Sequence, residues 1–468
     1  MATLLPKKNI DFTTGSIIKK LAIFAIPFIL GELFQNLYNS VDALIVGNYL
    51  GQEPLAAINI STPITSTVIG FFNGMSIGSS VIVSHAFGGG ERDTLSRTLR
   101  VAFSFAVLIG LVFSVVGPLL GAPGFLWASG VEGAVYDLSL LYLRIYMVGL
   151  VCTVIYNIGS GMMRAIGDSR TPFNILLITS GINVVTDILF VAVFKWGVAG
   201  AAFATVLAQF VSVVLIYRQF RRVDDAFRIS FRELPQEREI VGRILKIGVP
   251  AGVQGALVPL SSLFMWRYIN PFGSAAQAGV GVAQRLDKFV DMPLKALGSS
   301  LTTLVGQNLG ARDPKRAREG IRSCAKLEFL SLAVMSVLMY VGAPFFVSLF
   351  NKEQAVIDIG AGMMRTIIPL YAFLAVREMV LGALRGYGNT TAPMVFSLLG
   401  MIGVRQTFLA IANAVHPALS NVYYGYPMAW GSTALFLTIY YLTVRRRYSP
   451  EYLAEHPEEY EKLRIQKK

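Results

Sequence analysis

The sequence predicts an all-α membrane protein: twelve transmembrane helices in two six-helix lobes, related by a pseudo-two-fold axis along the membrane normal. Three observations predict it: a composition too apolar for water, an alternation of basic and non-basic loops, and a repeat that divides the chain in half. With 54% hydrophobic and 15% charged residues and a mean hydropathy of +0.57, the 468-residue chain cannot be arranged as a core inside a solvated shell. A hydrocarbon layer about 30 Å thick takes roughly 20 apolar residues per helix. Residues 101–120, which hold no charge, and residues 327–350 both reach that length.

Apolar runs set against charged or Gly/Pro breaks place helices near 17–46, 55–86, 95–120, 137–162, 173–195, 198–219, 243–269, 278–308, 322–350, 357–384, 392–414 and 423–444. Connections after even-numbered spans are basic, with Arg97 and Arg100, Arg164 and Arg170, Arg221 and Arg222, then Arg312 and Lys315, whereas odd-numbered connections carry little beyond Lys195 and Lys352. The positive-inside rule therefore puts both termini on the cytoplasmic side. The same topology accounts for the net charge of +13 without nucleic acid. No cleavable signal peptide is expected, because the first apolar segment runs on through Gly31 and Asp42.

The repeat is the most informative feature. Gly161-Met-Met-Arg164-Ala-Ile-Gly167-Asp168 through Pro172 recurs as Gly382-Ala-Leu-Arg385-Gly-Tyr-Gly388-Asn389 through Pro393, 221 positions later by subtraction, and Pro27 with Pro250, Gly51 with Gly273, and Gly78 with Gly298 keep nearly that offset. Each half holds six helices, and an even number makes the halves parallel. The expected domains are an amino-terminal lobe over 1–219, a basic cytoplasmic linker over 220–242, a carboxyl-terminal lobe over 243–444 and a charged cytoplasmic tail over 445–468. The recurring element itself reads as a structural corner: a glycine able to take φ > 0 past a helix end, an Asp or Asn to cap the next helix, and a proline to open it.

Charges at membrane depth cost at least about 2.5 kcal/mol each on insertion scales. The first span nevertheless places Glu32, Gln35, Asn36, Asn39 and Asp42 on an arc of about 120° at helical spacing. The fifth carries Asn183 and Asp187 on one face, and the sixth carries Thr205 among small residues. Packed together, these groups would form a desolvated acidic pocket suited to H⁺ or Na⁺ exchange; the plainer alternative is that the acids hydrogen-bond helix ends or pair with Lys or Arg. In the second half, Gln284, Arg285, Asp287, Lys288, Asp291 and Lys295 share the eighth span, Arg377 and Glu378 the tenth, and Arg405 and Gln406 the eleventh. Those charges either compensate one another or line a substrate path; Glu32, Gln35, Asn39, Gln254, Gln284, Glu378 and Arg405 are the cavity candidates.

Absences narrow the function. No G-x-x-x-x-G-K-[ST] loop is present, so nucleotide does not supply the energy. Three scattered histidines and two cysteines, Cys152 and Cys324, give no metal cluster, redox pair or catalytic centre. No enzyme and no cofactor are expected, and no metal other than Na⁺ at the coupling site.

Taken together, the region from Pro27 to Gly51, the 163–172 corner, Asn183-x-x-x-Asp187, Gly197-Val-Ala-Gly-Ala-Ala-Phe-Ala-Thr and Gly382-Ala-Leu-Arg-Gly-Tyr-Gly resemble the bacterial multidrug and toxic compound extrusion (MATE) family, from about residue 17 to 444. The resemblance implies export of organic cations or amphipathic drugs in exchange for H⁺ or Na⁺ at the cell membrane. It also implies a cation site at Asp42, Asn183, Asp187 and Thr205. The chain departs from members with acids on the seventh and tenth spans: residues 250–258 hold none, and Leu374 stands at the tenth-span position. The alternative is a flippase for lipid-linked oligosaccharides or cell-wall precursors, whose anionic substrates would favour Arg377, Arg405 and Lys288. A monomer working on small molecules in the bilayer, without nucleic acid, is expected.

Overall fold

The computed structural model describes residues 9–458 except 129 and 224–226, and among them the regular structure is helical. In chain order the spans are α1 (Ile17–Leu50), α2 (Gln52–Gly88), α3 (Arg92–Trp127), α4 (Gly133–Val148 continued by Leu150–Ala165), α5 (Arg170–Val193), α6 (Gly197–Val223), α7 (Arg238–Ile269), α8 (Ser274–Gly310), α9 (Pro314–Ser348), α10 (Gln354–Gly386), α11 (Thr391–Val415) and α12 (Leu419–Val444). A short α13 (Pro450–Glu455) follows. Each expected span has its helix, mostly a few residues longer at the ends. Eight described helices are long and apolar enough to cross a membrane, nine with the bent pair of α4. The polar face of α8 dilutes its apolar character. Large apolar side chains such as Leu120, Val341 and Val415 stand exposed along the spans, as lipid-facing residues do. The protein is a multi-pass membrane protein.

Two compact units divide the chain. Among the described residues, one gathers Leu30–Ala256 and residues 9–11; the other gathers Phe12–Ile29 and residues 257–458. Both α1 and α7 thus contribute to each unit.

In the first unit, small residues let backbones meet. Gly70, Gly74 and Gly78 on α2 face Gly255, Ala251 and Gly248 on α7 so closely that a Cβ at any of the three α2 positions would collide with the α7 backbone. α4 bends by 49° at Gly149, and α5 passes into a π-helical turn, Ile188–Val193, immediately after Asp187. Such turns re-aim side chains and recur at functional positions. Arg97 and Arg100 pair with Glu237 and Glu233, each at 3.4 Å, fastening part of the basic linker to α3.

In the second unit, Gly298 on α8 and Gly382 on α10 bring those two backbones into a similarly close approach. A 3₁₀ turn, Ile368–Leu370, breaks α10 just before Tyr371, and the π-helical turn Leu399–Val404 in α11 ends at Arg405. The repeated corner has the expected geometry in both copies. Gly167 and Gly388 lie at φ 88° and 80°, the left-handed region open to glycine. Asp168 Oδ1 accepts from the N–H groups of Arg170 (3.1 Å) and Thr171 (2.9 Å), and Asn389 Oδ1 accepts from Ala392 N–H at 3.3 Å.

Candidate functional site

Within the first unit, α1 carries Asp42 to the same place as Asp187 on α5. Each carboxyl lies within electrostatic reach of the other. Asp187 is fully buried and Asn183, one turn earlier, is 2% exposed. Both oxygens of Asp187, Oδ1 of Asp42 and both polar atoms of the Asn183 amide find no partner elsewhere in the protein, and the two carboxyls stand close enough to share a proton in a hydrogen bond. Buried polar groups are almost always satisfied, so this concentration of oxygen acceptors on adjoining helices marks a place built to receive something. No Lys or Arg among the described residues forms an ion pair with either acid. Oxygen donors alone suit a proton or a hard cation.

The structure adds residues that sequence reasoning missed. Tyr38, one turn before Asp42, and Tyr142 on α4 both lie within electrostatic reach of Asp42 and Asp187. Tyr146 stacks on Tyr142 with ring centroids 6.3 Å apart. The spacing of Tyr38 from Asp42 and of Tyr142 from Tyr146, four residues each, was a readable signal, but tyrosine on an apolar helix looks like ordinary core. Behind them, the Thr153 hydroxyl donates to Gln209 Oε1.

Thr205 sits on α6 with its hydroxyl donating to the Ala201 carbonyl at 3.1 Å, and no hydrogen bond among the described residues joins it to the acids. Glu32 lies within electrostatic reach of Arg164. Gln35 is half-buried on α1. Asn39 is helical, and its side chain lies outside the described residues. Gln254 is buried in the part of α7 that belongs to the first unit.

The second unit gathers its charges differently. Tyr371 donates to Asp287 Oδ1 at 2.6 Å, Lys295 pairs with Asp291, and Gln284 Nε2 donates to Tyr426 Oη at 2.6 Å. Neighbours on one helix, Arg377 and Glu378 still meet: the guanidinium donates to Oε1 of Glu378 at 3.1 and 2.5 Å, with both residues buried. Arg405 reaches the Ser261 carbonyl at 2.6 Å and its hydroxyl. Glu328 on α9 is the exception, 1% exposed. Residues 327–350 still have the length of a span in the sequence, because a single carboxylate barely lowers the hydropathy of so apolar a stretch.

Matches to known proteins follow the same division. The MatE family model matches the chain twice, over residues 27–189 and again over 250–411, which reproduces the internal repeat. The chain is similar to the probable multidrug resistance protein YpnP of Bacillus subtilis, 29% identical over 415 residues that cover 87% of this chain and 91% of that protein. It is similar to YoeA of the same organism, 27% identical over 440 residues, 92% and 95% of the two chains. Among solved structures, a MATE transporter in its straight conformation superposes with a TM-score of 0.84 at 22% identity, covering 95% of this chain and 99% of that one. A MOP superfamily transporter from Pyrococcus furiosus, described as having a binding pocket of reversed polarity, gives 0.83 at 21% over the same shares. These likenesses give the fold: twelve helices in two six-helix halves.

Proposed function

The chain belongs to the MatE family of multidrug efflux transporters, and from that premise we propose that it exports organic cations or amphipathic drugs across the cell membrane in exchange for H⁺ or Na⁺, with both termini cytoplasmic. The observation that carries this reading is the facing pair Asp42 and Asp187, with Asn183 beside them and without a basic partner among the described residues. Here the coupling cation would take the position that a Lys or Arg holds in an ordinary buried pair. Thr205 contributes, in this reading, through the lone pairs that its bond to Ala201 leaves free.

Coupling requires the cation to bind one conformation better than the other, since equal affinity shifts no population. Binding between α1 and α5 changes the electrostatic free energy of whichever state holds both acids together. That difference is what drives alternation between inward-open and outward-open forms. The flippase alternative is not favoured: the relatives are named for multidrug resistance, and the second unit's basic residues are already engaged, Arg377 by Glu378 and Arg405 by Ser261.

The test is dye efflux from proteoliposomes under separately imposed H⁺ and Na⁺ gradients. Asp42→Asn keeps the side-chain shape and removes the charge; it should abolish gradient-driven efflux while leaving equilibrium dye binding measurable. Wild-type efflux from both Asp42→Asn and Asp187→Asn at equal protein level would refute the site.

A further inference from the structure

The carboxyl of Glu328 stands alone among the buried charges of the second unit. It is 1% exposed, its Oε2 has no hydrogen-bond partner, and its Oε1 meets only the thiol of Cys324, at 3.6 Å, one turn back on α9. That thiol also contacts the Leu297 carbonyl of α8 at 3.6 Å. From α10 another acid, Glu378, lies within electrostatic reach, and no Lys or Arg among the described residues does. Several charges on the helices packed against α9 are engaged elsewhere. On α8, Asp291 and Lys295 pair with each other and Asp287 accepts from Tyr371; on α10, Arg377 binds Glu378, and Arg385 also lies within electrostatic reach of Glu378. Arg365 of α10 reaches the Tyr340 carbonyl at 3.5 Å.

An isolated carboxylate in such surroundings neutralises itself instead of remaining charged. Two adjacent acids do not both ionise when only one has a cation. Glu378 has its guanidinium, so the proton belongs to Glu328. The surroundings also exclude a metal ion: one thiol and one carbonyl that the thiol already contacts do not make an oxygen shell.

We propose that Glu328 is a second ion site of this transporter, one that binds H⁺ and not Na⁺, and that its release of the proton is linked to the Arg377–Glu378 pair beside it. The proposal rests on the ion-driven reading above. The step is a simple ionisation: the O–H bond of the Glu328 carboxyl breaks, the proton goes to water, and the electron pair stays on the carboxylate. For that charge to be tolerated, the Arg377 guanidinium must turn from Glu378 toward Glu328, which a change of helix packing between α9 and α10 would allow. On α9 itself, Lys326 and Arg322 precede Glu328 and are exposed.

The experiment uses the full-length protein in lipid nanodiscs and in proteoliposomes. Infrared spectroscopy at pH 7, in an Asp42→Asn/Asp187→Asn background, should show a protonated-carboxyl carbonyl band that disappears when Glu328→Gln is added and is insensitive to Na⁺. In the otherwise wild-type protein, Glu328→Gln should reduce efflux driven by a pH gradient about tenfold, with equilibrium dye binding unchanged. A hydrophobic carbodiimide, which attacks protonated buried carboxyls, should label Glu328 in the wild-type chain by mass spectrometry, so the test survives even where the variant fails to fold. An infrared spectrum unchanged by Glu328→Gln, absence of carbodiimide label, suppression of the label by Na⁺, or wild-type pH-driven efflux from Glu328→Gln would each overturn the proposal. Wild-type efflux from Asp42→Asn and Asp187→Asn with the band intact would instead count against the first-unit site alone.

Discussion

The two units hold their buried charges in opposite ways. In the first, Asp42 and Asp187 face each other with no basic partner among the described residues, and Asn183 adds an unsatisfied amide. In the second, Asp287, Asp291 and Glu378 each have a hydroxyl, ammonium or guanidinium against them. The repeated six-helix unit thus carries two electrostatic arrangements: acids paired within the protein, and acids left without a basic partner among the described residues. A carboxyl held permanently by a cation has nothing to exchange, so coupling falls to the acids that lack one: Asp42 and Asp187 in the proposed cation site, and Glu328 in the second unit.

The sharpest way to break that contrast is to neutralise each kind of site. Asp42→Asn and Asp187→Asn should each lower gradient-driven efflux on the order of 100-fold, the upper range of coupling free energies, with little loss of stability. Arg377→Met should above all cost stability, and pH-driven efflux with it. Removing one partner of a buried ion pair costs about 3–5 kcal/mol, and here it leaves Glu378 beside Glu328, so thermal unfolding in detergent should move sharply downward. The double change Arg377→Met/Glu378→Leu should restore most of that loss. A stable Arg377→Met protein would mean that the second unit's pairs are not structural.

Much of this architecture was legible beforehand because it follows from period and repetition. Helix count, the halves and the corners at Gly167 and Gly388 come from apolar length, an offset near 221 and residues with special φ preferences. In the candidate site, Asp42, Asn183 and Asp187 stood out because charge and amide are costly in an apolar helix. Tyr38, Tyr142 and Tyr146 did not, since an aromatic ring on an apolar helix is unremarkable until packing sets Tyr38 and Tyr142 within electrostatic reach of the acids. Arg377 and Glu378 leave their helix about 100° apart and pair all the same, because a long guanidinium can curl back along the helix surface.

A smaller effect separates close packing from mere apolarity. A Cβ on Gly74 of α2 would strike the Ala251 carbonyl and the Gly252 backbone of α7, while Gly181 on α5 has open space around it. Both glycines sit in apolar helices, so composition gives no reason to treat them differently. Gly74→Ala should cost about 1–3 kcal/mol, the usual range for overpacking. Gly181→Ala should be neutral or slightly stabilising, since alanine exceeds glycine in helix propensity by about 1 kcal/mol. Equal melting temperatures for the two variants would remove the glycine stripe from the account of how α2 and α7 pack.

The smallest expected effect tests whether the repeated corner belongs to the frame or to the transport cycle. Asp168 accepts two backbone N–H groups at the start of α5. Asn389 accepts one at the start of α11 and donates to Tyr440 Oη at 2.8 Å. A lost N-cap typically costs about 1 kcal/mol. Asp168→Ala should therefore lower stability by about that amount, and Asp168→Asn, which keeps an acceptor oxygen, by much less. Asn389→Ala loses a longer cap bond together with the tie to α12, so its penalty should be similar in size though different in origin. Asp168 precedes α5, toward the opposite end from Asp187, and Asn389 belongs to the other unit, so efflux per folded molecule should match wild type in both alanine variants. Normal protein level with efflux lost in Asp168→Ala alone would show that the first copy of the corner moves during transport while the second stays fixed, extending the asymmetry of the two units from their charges to their joints.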